Sequence, residues 1–268
     1  MLERILAGAP AYLLIYVRCF AVIMTLPLFS IRSVSKMAKL ALSGYIAFIV
    51  LPHVDLSVYA PYFGENGAFS VSYVMLIIGE GLIGILMGFY ASLIFSAFST
   101  AGQFFAFQMG FSASEVYDAL SQVENPLMGQ FFNLVAMLVF LQSDWAQILF
   151  GRAFISSFRS LNAISFLSAQ ESVVKFLLSG LTDLFADAFI IALPIMGVLC
   201  LISVTMGILS KAAPQMNLLS EGFPVMILTS FFIIAALMPS LCDFFGRAIS
   251  IGFRNLENLF ASFSSGGA

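Results

Sequence analysis

Apolar residues run along this chain in long blocks, near positions 9–29, 40–60, 71–100, 127–142, 183–210 and 223–242. About twenty apolar residues cross a hydrocarbon core as a helix, whereas a barrel strand alternates apolar and polar side chains over roughly ten positions. The blocks are long and lack that alternation, so the pattern predicts an all-α protein built on about six long apolar helices. Between Glu80 and Glu115 there is no charged residue at all. A helix through 71–111 would run about 60 Å, twice a hydrocarbon core of about 30 Å. That stretch must either bend back or continue into apolar surroundings that are not lipid.

The breaks between blocks carry further signals. "VENPLMGQ" (123–130) reads as a helix start, with Asn125 as cap and Pro126 at the first helical position. Stretch 143–180 mixes polar and apolar residues and is expected to be an amphipathic connection lying at an interface. The tail from 262 to 268, ending "SSGGA", is expected to be disordered. Alternating six spans would place Arg4, Arg152, Arg159, Lys175, Arg247 and Arg254 on one side, and Arg32, Lys36, Lys39 and Lys211 on the other. Six against four is too even to orient the chain.

Composition makes the membrane reading stronger. The 268 residues are 61% apolar and 9% charged, with 30 phenylalanines and a mean hydropathy of +1.03, where soluble domains carry roughly 25% charged residues. Such a chain cannot cover a globule with charge. The net charge of -3 comes with no basic tract, which argues against nucleic acid as a partner. Cys19, Cys200 and Cys242 lie in apolar runs without paired spacing and are expected to be small buried hydrophobes. The first twenty residues show no signal-peptide pattern, since Arg18 splits the apolar run and no A-x-A site follows.

Few residues offer chemistry. "GEGLIG" (Gly79 to Gly84) has the spacing of a dinucleotide-binding loop, but no acidic residue stands near twenty positions further on and no βαβ pattern surrounds it. Glycine packing between membrane helices accounts for it better. The single histidine, His53, follows Pro52 at a segment end and reads as a solvated loop residue. No catalytic set, metal-ligand cluster or cofactor motif can be assembled, so the chain is not expected to be an enzyme.

Ionisable groups inside apolar helices are candidate functional sites by default. Glu80 sits between two glycines and could bind a proton or pair across an interface; Arg18 could pair with an acidic group or snorkel. Asp183 and Asp187 share a helix face near a segment start, where solvation or a favourable helix dipole would suffice to hold them. Gly84, Gly88, Ser92, Ser96 and Thr100 follow at four-residue intervals, a stripe that lets a neighbouring helix approach closely.

Two stretches remain. "GQFFAFQMGFSAS" (Gly102 to Ser114) sets Phe104, Phe105, Phe107, Gln108, Met109, Gly110 and Phe111 among glycines and small polar residues. It suits a hydrophobic constriction that closes a conduit by bulk and dewetting, or simple core packing. "KAAPQMNLLSEGFP" (Lys211 to Pro224) interrupts two apolar blocks. Pro214 removes a backbone donor, Gln215 and Asn217 can satisfy freed polar groups, and Gly222 and Pro224 would restart an apolar helix. A tight loop between antiparallel helices and a docked contact tip fit it equally.

Together with "NPLMGQFFNLVAMLVFLQSDW" (125–145) and "ALPIMGVLCLISVTMGILSKAAPQMNLLSEGFP" (192–224), the 101–114 stretch resembles the FliR family of flagellar biosynthetic proteins, related to the T component of virulence type III secretion. The resemblance covers the whole chain in length and order of segments. Its most specific part is Ala213-Pro214-Gln215-Met216-Asn217 followed by Gly222-Phe223-Pro224, and Gly102-Gln103 with Gln108-Met109-Gly110 supports it separately. The chain departs from the family at Ser143-Asp144-Trp145, where Gly-His is usual, at Lys211, where arginine is common, and at Ala119, where proline often follows the aspartate matched by Asp118.

The resemblance implies a single subunit over 1–268 in a helical export-gate core of the bacterial inner membrane, at the flagellar basal body. It implies membrane-associated hairpins wound into a right-handed superhelix, an N-terminal set (1–126) ending in a plug segment at about 102–114, and a C-terminal set (127–268) with its tight turn at 211–224. The implied partners are the P and Q gate subunits, the A and B export-apparatus membrane proteins, rod-base components, unfolded export substrates and membrane lipid, with no cofactor. The turn would place Lys211, Pro214, Gln215, Met216, Asn217, Gly222 and Pro224 near docked neighbours. An autonomous secondary transporter or channel, with Glu80 as its coupling group, is the alternative; it would call for internal repeats, and none is convincing.

Overall fold

The computed structural model describes residues 2–30, 34–54, 59, 62, 70–110, 127–161, 163, 166, 170–213 and 218–265. Among these residues every regular element is helical. The helices are α1 (Leu2–Thr25), α2 (Pro27–Ser30), α3 (Lys36–Val50), α4 (Val71–Met109), α5 (Leu127–Gln142), α6 (Trp145–Gln147), α7 (Phe154–Ser160), α8 (Gln170–Ala212) and α9 (Leu218–Ser265). A 3₁₀ turn at Leu51–His53 follows α3, and a π-turn at Ile148–Ala153 joins α6 to α7. Ser35 caps α3, its hydroxyl accepting from the Ala38 amide at 3.2 Å.

Blocks 71–100, 127–142, 183–210 and 223–242 each lie on one helix, whereas 9–29 runs over α1 and α2 and 40–60 runs past the end of α3 into the 3₁₀ turn. α4, α8 and α9 have 39, 43 and 48 residues. These three are long and apolar enough to cross a membrane, and Leu127–Gln142 with Trp145–Phe158 makes a fourth candidate if the pair forms one broken span. The apolar part of α1, Ala9–Thr25, is shorter. Arg18 interrupts it, and α1 lies against α4 and α3 instead of standing alone in lipid. Stretch 71–109 is one unbroken helix, so the chain does not turn back within it. Among the described residues, four prolines stand inside α-helices, Pro10 in α1, Pro194 in α8, and Pro224 and Pro239 in α9.

The chain forms two compact units, each assembled from separate stretches: 1–93 with 144–180 and 250–268, and 94–143 with 181–249. In the first, α1 and α4 run in the same direction. Tyr73 donates to the Pro10 carbonyl at 2.8 Å, Glu80 meets Arg18, and Gly88 reaches Val22 and Thr25. Gly84 and Gly88 face the α1 backbone: a Cβ on Gly84 would lie 2.5 Å from the Arg18 carbonyl oxygen, and one on Gly88 would overlap the Thr25 side chain. Ser92, Ser96 and Thr100 continue along α4, half-buried.

In the second unit, α5 runs against α4 in the opposite sense, with Phe105 on Phe132 and Phe95 on Phe140, both edge-to-face. Phe245 of α9 closes this cluster against Phe98 at 4.1 Å and Phe132 at 6.1 Å. α8 and α9 are antiparallel, Ser203 meeting Met226 and Met206 meeting Gly222.

Several expectations are corrected here. Asp183 and Asp187 are not near a helix start, because α8 begins at Gln170; the dipole account of them fails. For the same reason 143–180 is not one connection, and Ser157, Leu161 and Ala163 within it are buried. Cys19 is buried, but Cys200 is exposed and Cys242 half-buried, since α8 and α9 present more apolar surface than the chain itself can cover. α9 runs on to Ser265, so 262–265 of the expected disordered tail are helical; residues 266–268, and the helix start read at Asn125 and Pro126, lie outside the described residues.

Overpacking of a tight site typically costs about 1–3 kcal/mol, whereas alanine replacing glycine in an open helix position is worth roughly 0.5–1 kcal/mol in its favour. Gly84→Ala and Gly88→Ala are therefore expected to lower stability, while Gly207→Ala, whose Cβ would meet nothing within 4 Å, is expected to be neutral or stabilising. Unfolding of the detergent-solubilised chain followed by circular dichroism checks this; equal effects at all three glycines would contradict the close approach.

Candidate functional site

Arg18 lies on α1 with no exposed surface, and its guanidinium is satisfied from three directions. Nε donates to Glu80 Oε2 at 2.6 Å, one terminal nitrogen donates to Ser157 Oγ at 2.9 Å, and the other donates to the Leu161 carbonyl at 3.0 Å. The Phe158 ring covers it, its centroid 3.8 Å from the guanidinium carbon. Glu80, equally buried, accepts a second hydrogen bond at Oε1 from the Tyr59 hydroxyl at 2.5 Å. The same Tyr59 oxygen accepts from the Ala163 amide at 3.0 Å. Burial and the adjacent carboxylate push the Tyr59 phenol above its ordinary range, so it stays neutral and donating.

This arrangement holds two opposite charges in place, with both carboxylate oxygens of Glu80 occupied. It gathers α1, α4, α7, Tyr59, Leu161 and Ala163 around one point. Of the two readings of Glu80 and Arg18, the geometry brings the two residues together as partners. Sequence reasoning did not find Tyr59, Ser157, Phe158 or the backbone groups of Leu161 and Ala163. The one available signal was that a buried arginine needs several acceptors, and sequence spacing does not name them.

The second arrangement is the end of α4. On one face, Phe105 and Met109, one turn apart, are fully buried, and Gly102 and Gly129 let α4 and α5 meet at backbone distance: a Cβ on Gly102 would lie 2.6 Å from the Met128 carbonyl oxygen. On another face, Phe104 and Gln108, also one turn apart, meet α8. Phe104 packs edge-on to Phe189 at 6.2 Å. With the Gln108 amide oriented so that both its atoms are satisfied, Nε2 donates to the Met196 carbonyl at 3.3 Å and Oε1 accepts from the Cys200 amide at 3.1 Å. Phe107 is 76% exposed. The helix stops at Gly110, whose φ of +87° is a conformation side chains other than glycine's rarely adopt. The Phe223 ring of α9 fills the place a Cβ on Gly110 would take.

The two quoted motifs thus meet, Gln108-Met109-Gly110 against Gly222-Phe223-Pro224. In the second motif the sequence expectation needs correcting. α9 starts at Leu218, so Gly222 and Pro224 lie within its first two turns and do not restart a helix after a break. Gly222 is buried, its nearest neighbour Met206 at 3.7 Å from an added Cβ, and Lys211 is exposed at the end of α8. Phe111 and the turn residues Pro214, Gln215, Met216 and Asn217 lie outside the described residues. At the departure noted after the fourth apolar block, Asp144 takes the left-handed conformation (φ 55°), and Trp145 stacks on Phe253 at 5.6 Å.

Removing one partner of a buried ion pair costs about 3–5 kcal/mol because the other charge is stranded, while replacing both by apolar groups is often neutral. Arg18→Met and Glu80→Met are each expected to destabilise the chain by that amount, and the two together by less than either alone. Tyr59→Phe, which strands Glu80 Oε1 and the Ala163 amide, is expected to cost about 1–3 kcal/mol. A double-mutant cycle from denaturant unfolding tests the set; additive losses would mean that the pair is not coupled.

The family model for bacterial export proteins, family 1, matches residues 9–251. The chain is 27% identical to the flagellar biosynthetic protein FliR of Bacillus subtilis over 253 residues, 94% of this chain and 95% of that protein. It is 28% identical to the FliR of Escherichia coli over 263 residues, 96% and 95% of the two chains. It is also 35% identical to the surface presentation of antigens protein SpaR of Shigella sonnei over 133 residues, 49% of this chain and 50% of that one. The match runs through α1, α4, α5 and α8 and most of α9, including both motifs that meet at Gly110, and the chain belongs to family 1 of the bacterial export proteins.

Proposed function

We propose that this chain is a non-enzymatic core subunit of the flagellar type III protein export gate, in the cytoplasmic membrane at the flagellar basal body. There it forms and seals the conduit for unfolded flagellar proteins. The family match supports a component of the export apparatus; the sealing role rests on the end of α4. That segment collects Phe104, Phe105, Phe107 and Met109 on one helix end that stops at a left-handed glycine. Large apolar side chains close a narrow path by bulk and by excluding water.

The partners in this reading are the P and Q gate subunits in a right-handed helical assembly, with the A and B membrane proteins and the rod base around it. Exposed apolar surface supports a need for partners or lipid. Leu201, Ile208, Leu228 and Phe232 are each more than 65% exposed on α8 and α9. The stripe from Gly84 to Thr100 and the turn from Lys211 to Pro224 are assigned to helix packing and to neighbouring subunits respectively. An autonomous transporter using Glu80 as coupling group is less well supported, because Glu80 is buried with Arg18 and Tyr59 on its two oxygens.

Co-expression with the P and Q subunits is expected to yield a discrete hetero-complex by native mass determination; a stable lone chain indifferent to those partners would refute the assignment. Sealing is tested separately at Phe107, which is exposed. Phe107→Ala is expected to cost the chain much less stability than a change in the core while raising the permeability of cells carrying the complex to small solutes. Phe105→Ala, in the core, is expected to lose about 3–5 kcal/mol. Unchanged permeability in Phe107→Ala complexes would remove that residue from the seal.

A further inference from the structure

We propose that Gln108 is a positioning residue of the gate, a side-chain clamp that fastens the end of α4 to the backbone of α8 and so sets where the chain leaves α4 at Gly110. The inference rests on the sealing role just proposed for that helix end.

The observations converge on one turn. Gln108 is the polar member of an otherwise apolar helix end, and its amide spans the carbonyl of Met196 and the amide of Cys200, four residues apart along one turn of α8. Pro194, two residues before Met196, removes the donor that would meet the Ile190 carbonyl, so the break it makes lies in the turn of α8 before this pair. A glutamine matches this pair because its amide offers one donor and one acceptor side by side. Neither a hydrocarbon nor a carboxylate of the same length offers both. Phe104, one turn earlier on the same face, packs on Phe189, so the clamp and the ring contact together define both distance and register between α4 and α8. Two residues later Gly110 turns the chain with φ +87°, and Phe223 fills the space beside it. Met109, between them, is fully buried. The helix end is thus held on three sides: by Gln108 on α8, by Phe105 and Met109 in the core beside α5, and by Phe223 on α9.

The physical consequence separates this residue from its neighbours. Phe105 and Met109 hold α4 by volume and tolerate small slides; hydrogen bonds to fixed backbone groups do not. Loss of the clamp therefore loosens register without opening a cavity.

Gln108→Met is the discriminating variant, since it keeps length and shape and removes both hydrogen bonds. Two measurements on the hetero-complex, purified and in cells, test it. Hydrogen exchange of the peptide containing Cys200 is expected to speed up about five- to tenfold, the factor that loss of one ordinary hydrogen bond represents. Permeability of cells carrying the variant complex is expected to rise several-fold at unchanged complex yield. Unaltered exchange at Cys200 overturns the clamp, whatever the permeability. Faster exchange without any leak, in Gln108→Met and in Phe107→Ala alike, upholds the clamp and overturns the sealing role. Should the complex fail to form with Gln108→Met, the same exchange measurement on the detergent-solubilised chain decides the clamp on the same criterion.

Discussion

An arginine buried in an apolar helix governs the first unit of this protein. Moving a guanidinium out of water costs several kcal/mol even after relaxation, and only a full set of acceptors offsets that cost. Arg18 obtains its set from Glu80, Ser157 and the Leu161 carbonyl, with Phe158 over its face. Meeting that demand requires α1 to lie beside α4 at the level of Glu80, and requires the chain after α7 to turn inward. It also explains why α1 falls short as a free-standing span. The glycines at 84 and 88 serve the same end, because only where a Cβ is absent can the two backbones come close enough for the pair to form.

α4 repeats this logic with different chemistry along its length. Near Glu80 it is held by charge, and near its end by aromatic packing and by the Gln108 amide. A helix of 39 residues with almost no amphipathic character needs partners on several faces, and the contacts supply them within each unit: α1 in the first, α5, α8 and α9 in the second. Polar side chains inside apolar helices here are spent on fixing geometry, whether at Glu80 or at Gln108. Both act on backbone or on a buried charge, where the absence of competing water gives a hydrogen bond its full orienting effect.

The membership of the chain among bacterial export proteins gives these contacts their setting. A membrane component of an export apparatus must present apolar surface outward, to lipid or to neighbouring proteins, while keeping its own helices in fixed register. α8 and α9 show the first property in their exposed leucines, isoleucines and phenylalanines. The node at Arg18 and the end of α4 show the second.

The all-helical class, the membrane setting and the apolar blocks were determined by the sequence alone, because apolar runs without period-two alternation admit no other satisfied backbone. So was the potential of Gly84 and Gly88 for close approach, since a missing side chain is a local property. Helix ends were less legible: α8 begins thirteen residues before the first of its aspartates and α9 before Gly222, because polar residues at the rim of an apolar block do not stop a helix. What only the tertiary structure decided was partnership. That Glu80 and the Leu161 carbonyl belong to Arg18, that Tyr59 and Ala163 complete the pair, that Gln108 reaches α8, and that Gly110 lies against Phe223 are choices among residues up to 143 positions apart. Hydrogen bonds and ring contacts depend on ångström-scale distances between chain segments, and hydrophobic pattern constrains only which face of a helix is covered.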